Sequence, residues 1–197
     1  MWTRELLGTD VYHLVAAFVV YSVLGWCVES IYMSFFNKKL TNRGFGKGPF
    51  CPIYGFGGVI GYLLLSPLKG QYIKLYFAGA IVATIFEYIV GRGMIKFLGQ
   101  LWWDYDDKPF NFQGIICLES TIAWGFYGVG IVQFVHEAVY RFIDSFNFDT
   151  GVCLIQIILC LVAIDYTIQL IHVLGIDIKA KKDRIKEKCQ SFIARWY

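Results

Sequence analysis

Four acids interrupt the most apolar stretches of this chain: Glu29, Glu87, Glu119 and Asp165. An ionisable side chain at membrane depth is costly, so each is a candidate functional residue by type and setting alone. Buried acids without partners take up protons, which suits proton coupling or the recognition of a cation. Asp165, Gln169 and His172 recur at i, i+4 and i+7, which puts a polar stripe on one helix face and directs it into a bundle. Arg43 and Arg92 are the cations available to neutralise two of the acids, while Trp, Tyr and Asn donors can hydrogen-bond the others. Two segments add further groups. Residues 42–55 carry Arg43 and Tyr54 in a Gly- and Pro-punctuated run that either offers backbone N–H groups to an anion or simply joins two helices tightly. Residues 102–114 are aromatic, acidic and amide-rich; Trp103 suits a membrane interface, but Asp104, Asn111 and Gln113 ask for a further role.

The elements that carry these residues follow from composition. Of 197 residues 57% are hydrophobic and 17% charged, against about 45–50% and about 25% in a soluble domain. A water-soluble single domain is excluded on both counts. Near-continuous apolar runs predict five membrane spans at about 11–36, 51–67, 72–98, 114–138 and 151–176, in an all-α integral membrane bundle that forms one domain over 1–176. The second run is short and holds Pro52, Gly55, Gly57, Gly58 and Gly61, so a re-entrant segment competes with a crossing. Charge decides between them. With five crossings and the carboxyl terminus inside, 14 Lys and Arg residues fall on the cytoplasmic side and 4 outside, a stronger positive-inside bias than the re-entrant arrangement allows. All four acids then lie in the inner half, Glu29 and Glu119 roughly 8–10 Å from the cytoplasmic helix ends and Glu87 and Asp165 roughly 15 Å.

The first span exceeds the apolar core of a signal peptide and is expected to remain in the mature protein. The basic tail, 177–197, spaces Ile178, Ile185, Cys189, Phe192, Ile193 and Trp196 at helical intervals, which predicts an amphipathic cytoplasmic helix on the anionic inner leaflet rather than a nucleic-acid site. Six cysteines, at 27, 51, 117, 153, 160 and 189, form no CxxC and no Cys/His pair at ligand spacing. Packing is the expected role; neither a metal nor another cofactor is expected.

Several motifs occur together in order: Tyr21-Ser22, Gly25-Trp26 with Glu29, Asn42-Arg43-Gly44-Phe45, Gly48-Pro49 and Cys51-Pro52-Ile53-Tyr54-Gly55. Glu87-Tyr88, Trp103-Asp104-Tyr105, Pro109-Phe110-Asn111, Gly114, Cys117-Leu118, Ser120 and Trp124-Gly125 complete the set. From about Phe18 to about Val132 the series resembles the CmpB-like family of type IV ABC-transporter permeases. The resemblance implies a small multi-pass protein of the bacterial cytoplasmic membrane and a transport role. The sequence has no GxxxxGK[ST] loop, so ATP hydrolysis would need a separate ATPase subunit.

Three functions are therefore expected in descending order. The first is a permease component, possible as a homo-oligomer, that binds a small polar or cationic solute in a cytoplasm-facing pocket. Its substrate-binding residues are taken as Glu29, Arg43, Tyr54, Glu87, Trp103, Asp104, Asn111, Gln113, Glu119 and Asp165. The second is a membrane-embedded enzyme acting on a lipid or isoprenoid headgroup, with Glu29 or Glu87 as base, Arg43 as anion clamp and Cys51 or Cys117 as nucleophile. The third is a structural or regulatory subunit whose polar core only fixes the fold.

Overall fold

The computed structural model describes residues 1–6, 8–42, 44–99 and 101–173. The expected amphipathic tail, 177–197, and Arg43 lie outside the described residues. A short antiparallel ribbon, β1 (Glu5–Leu6) and β2 (Thr9–Asp10), precedes six helices: α1 (Val11–Asn37), α2 (Pro52–Leu65), α3 (Tyr72–Leu98), α4 (Leu118–Gly130), α5 (His136–Asp144) and α6 (Phe148–Val173). The fold class is all-helical, as the apolar periodicity predicts.

Local chemistry sets the helix ends. Asp10 caps α1, its Oδ1 accepting the His13 N–H at 2.8 Å, and Lys38 leaves the helix in the left-handed region. Pro52 opens α2, where its missing N–H costs nothing. Gly99, at φ 70, closes α3 with a backbone bond to Ile95 O.

Glycines then bring the helices together. α2 returns antiparallel along α1: a Cβ on Gly25 would enter the Tyr54 ring, one on Gly55 would meet Ser22 and Phe18, and one on Gly58 would meet Tyr21. α4 returns antiparallel along α3, with Gly79 against Gly128 backbone to backbone and Thr84 Oγ1 donating to Thr121 Oγ1 at 3.0 Å. Close approach of this kind lets dispersion hold helices together where lipid removes the usual hydrophobic drive. α6 lies parallel to α1, with Gly151 against Tyr12 at one end and Tyr166 Oη donating to Phe50 O at 3.0 Å at the other. Tyr12, Ala16, Ala17 and Val19 of α1 pack with Val139 and Ile143 of α5 in the main core.

Apolar residues also face outward in rows. Ile73, Phe77, Ile81, Ile85 and Ile89 of α3 are all more than half exposed, a stripe that water would penalise and acyl chains would cover. Among the described residues, three helices are long and apolar enough to cross a membrane: α1, α3 and α6. α2 with its following 3-10 turn, Pro52–Leu68, is a shorter apolar helix. α4, a π-helical segment at Ile131–Val135 and α5 follow one another without a break from Leu118 to Asp144.

The fourth apolar run was expected to be helical from 114. The structure starts α4 at Leu118 instead, because Gln113 and Gly114 both take positive φ and Phe112 bridges to Ile116. Cys117 then forms a capping box with Ser120. Ile115, fully buried, serves that turn rather than a helix.

Candidate functional site

Glu87 is 4% exposed on the apolar helix α3, and three donors converge on it. Tyr105 Oη donates to Oε1 at 3.1 Å. Trp124 Nε1 donates to Oε2 at 2.9 Å, and Ser120 Oγ lies 3.3 Å from the same oxygen. Ser120 also reaches Cys117 O at 3.0 Å, so its single proton is shared. Every one of these donors is neutral, so they solvate a carboxylate without cancelling its charge. Burial, and then the charge of Glu87, push the Tyr105 phenol up, which keeps its proton in place for this bond.

The carboxylate borders a partly open cavity of about 200 Å³ lined mainly by α2, α3, α4 and the loop after α3. Glu29 of α1 and Tyr54 of α2 line the same space, and Tyr54 hydrogen-bonds to Glu29. Trp102, Trp103, Trp124 and Tyr127 supply aromatic surface around the two acids. Trp103 is held by its Nε1, which donates to Ile115 O at 2.8 Å. Acids set among electron-rich rings can attract a cation both by charge and by cation–π contact. Cys51 lines the wall as well, whereas the Cys117 sulfur accepts the Ser120 N–H as a helix cap. Among the described residues, no three of His, Cys, Asp and Glu converge as metal ligands.

Of the residues singled out from sequence, Glu29, Tyr54, Glu87 and Trp103 meet at this cavity. The rest stand elsewhere. Asp104 accepts the Asp106 N–H at 2.9 Å in a turn. Asn111 clamps the same loop, donating to Asp106 O and Lys108 O and accepting the Gly114 N–H. Gln113 Oε1 accepts from Tyr88 Oη at 3.2 Å and from Arg92 Nη1 at 3.5 Å, at the surface. Glu119, exposed in the first turn of α4, pairs with Lys108 at 2.8 Å. Asp165 accepts the Gly48 N–H at 3.0 Å and so anchors the glycine-rich loop to α6. Gly46 must lack a side chain for this, since a Cβ there would strike the Asp165 carboxylate. Arg43 has no described position.

Tyr105, Ser120 and Trp124 were not singled out as site residues from sequence, although each carries a bond to the central acid. A usable signal existed: an acid in the middle of an apolar helix needs donors, and Ser120 and Trp124, four apart, share one face of α4.

A family model described as "Putative ABC-transporter type IV" matches residues 16–170. No curated protein and no solved structure matches the chain.

Proposed function

The chain belongs to the type IV ABC-transporter family, and on that premise we propose that it is the membrane component of a transporter that binds a small polar or cationic solute. The family and the three apolar helices establish a transporter-related membrane protein. The finer reading has five crossings, amino terminus outside and carboxyl terminus inside, in a bacterial cytoplasmic membrane. The binding cavity then opens towards the cytoplasm, where the positive-inside bias puts the loops around residues 38–50 and 99–117. A separate ATPase subunit supplies the energy, since the sequence carries no phosphate-binding loop of its own.

One observation carries the proposal: Glu87 is buried beside an aromatic cavity and, among the described residues, is satisfied by the neutral donors Tyr105, Ser120 and Trp124. A cation entering that space gains the carboxylate charge and ring contacts worth about 0.5–2 kcal/mol each, with no resident cation at Glu87 to displace among the described residues.

The test titrates tetramethylammonium and a zwitterionic betaine into the purified protein in nanodiscs and follows tryptophan fluorescence. Saturable binding is expected, weakened about tenfold or more in Glu87→Gln. That variant should fold, because a glutamine oxygen still accepts from Trp124 and Ser120 while its amide donates to Tyr105 Oη. If neither ligand changes the signal, or if folded Glu87→Gln binds as well as the parent, the proposal fails.

A further inference from the structure

The acidic cavity is longer than a small solute requires, and its two ends differ in chemistry. Glu29, Tyr54, Glu87, Trp103, Tyr105 and Trp124 all lie in the half nearer the loop after α3, where Val90 and Met94 of α3 also line the wall beyond Glu87. From there the lining continues along three helices at once. On α2 it passes Gly57, Gly58 and Gly61 to Leu65; on α3 it passes Ala83 and Val82 to Gly79; on α4 it passes Tyr127 and Gly128, and it ends at Ile131 and Val132 of the π-helical segment that follows. Except for Tyr127, none of these residues carries a polar side chain. Glu87 and Gly79 are eight residues apart on α3, so the apolar extension is about 12 Å long. Gly79 and Gly128 let α3 and α4 touch backbone to backbone beside it, whereas Gly61 on the α2 wall borders open space: a Cβ built there meets nothing within 4 Å.

A compact polar solute would leave this extension empty or wet, and neither state is favourable for an apolar space of that length. Resting on the cation reading above, we propose that the ligand is an amphipathic cation: an ammonium-type head among the acids and rings, carrying one alkyl or isoprenoid chain of about nine carbons' length that fills the channel towards Val132. The shared chemistry is that of a cationic lipid headgroup and of a free amphiphilic amine. The head supplies charge complementarity to Glu87, and the chain supplies the larger share of affinity.

The experiment measures binding of alkyltrimethylammonium ions with methyl, butyl, octyl, decyl and hexadecyl chains to the protein in nanodiscs, beside uncharged alkyl maltosides of equal length. Each added methylene should tighten binding about three- to fourfold, up to octyl or decyl, after which the gain should stop. Gly61→Leu fills the extension, and should flatten this series while leaving tetramethylammonium binding unchanged. Tetramethylammonium binding with no gain from longer chains overturns the amphiphile and leaves the small-cation reading intact. A gain that runs on through hexadecyl and is untouched by Gly61→Leu reports partition into the bilayer and overturns it too. Equal binding of maltosides and ammonium ions sinks the cation reading itself. Repeating the series in phosphatidylcholine and phosphatidylglycerol nanodiscs identifies the source: competition by phosphatidylcholine marks a lipid headgroup, and equal affinities mark a free amphiphile.

Discussion

Glu87 is stabilised by what donates to it, and the three donors are not equivalent. Trp124 Nε1 has only this acceptor, at 2.9 Å, whereas Ser120 Oγ divides its proton with Cys117 O. Trp124→Phe should therefore cost about 1–3 kcal/mol, because it leaves a buried carboxylate short of its firmest bond. Ser120→Ala should cost less at Glu87, though it also removes half of the α4 capping box. Thermal unfolding in detergent ranks the two. Cys117 offers a cleaner separation of roles. Its sulfur accepts the Ser120 N–H at 3.3 Å, a task that a serine hydroxyl performs at least as well. Cys117→Ser should keep stability and ligand binding, and Cys117→Ala should lose about 1 kcal/mol. A nucleophilic role would instead make Cys117→Ser inactive while still folded. Asp10 gives the residue scale its pH dependence. Burial works against its charged form, but the His13 backbone and ring bonds outweigh burial and hold the carboxyl below its usual value. Its cap is thus fully effective above about pH 4 and is lost as pH falls through the lowered folded value. Amide exchange in the first turn of α1 should accelerate only in that acid range, and Asp10→Asn should remove the dependence.

Between elements the decisive contacts are made by glycines, and their surroundings separate strict positions from permissive ones. A Cβ on Gly128 would come within 3.0 Å of the Gly79 Cα, which is backbone and cannot rotate away. Gly128→Ala should cost about 1–3 kcal/mol and push α4 off α3, whereas Gly93→Ala, with open space around it, should be neutral or slightly stabilising. Thermal unfolding of the pair checks this, and equal losses would refute the argument. The same contact explains what could be read from the sequence. α3 was expected at 72–98 and occupies Tyr72–Leu98, because one near-continuous apolar run ends at a glycine able to take positive φ. The start of α4 was not legible, since Ile115 and Ile116 look like span residues but are packed by a turn whose shape depends on Trp103 and Gly114. Nor does local pattern announce the π-helical segment at Ile131–Val135. Glu87 was legible because an acid in an apolar helix is anomalous in one dimension. Its partners were not, because whether Trp124 faces Glu87 depends on the register of α4 on α3, which the Gly79–Gly128 contact sets in three dimensions. Glu119 shows the converse: its apolar neighbours suggest depth, but it stands in the first turn of α4 with Lys108 beside it.

At the scale of the whole molecule, the contacts sort the connecting segments into two ends before any charge is counted. At one end Asp165 reaches Gly48, and Phe45 stacks on Trp102, so the loops after α1 and α3 share a side. At the other, Thr9 Oγ1 meets Tyr140 Oη at 3.2 Å, His13 Nε2 meets Asp144 at 2.9 Å and Lys69 approaches Glu137 at 3.8 Å. Lys38, Lys39, Lys47, Arg92, Lys96 and Lys108 belong to the first end, the one that the proposed orientation, argued from the positive-inside rule, turns towards the cytoplasm. Four exposed positions then decide the topology: Thr3 and Gln71 at one end, Lys39 and Asp107 at the other. With the native cysteines replaced, single cysteines at Lys39 and Asp107 should react with a membrane-impermeant thiol reagent only in inverted vesicles, and those at Thr3 and Gln71 only from outside the cell. Each pair isolates one segment. Thr3 against Lys39 reports whether α1 crosses, Lys39 against Gln71 reports on α2, and Gln71 against Asp107 reports on α3. The short, glycine-rich α2 is the critical case: if Gln71 labels from the same side as Lys39, α2 turns back within the bilayer and the cavity it walls no longer reaches through an antiparallel bundle. If Gln71 labels with Thr3, α1, α2 and α3 cross in alternation and Glu87 lies in the half of the bilayer nearer the cytoplasm, where a ligand entering from that side would meet it first.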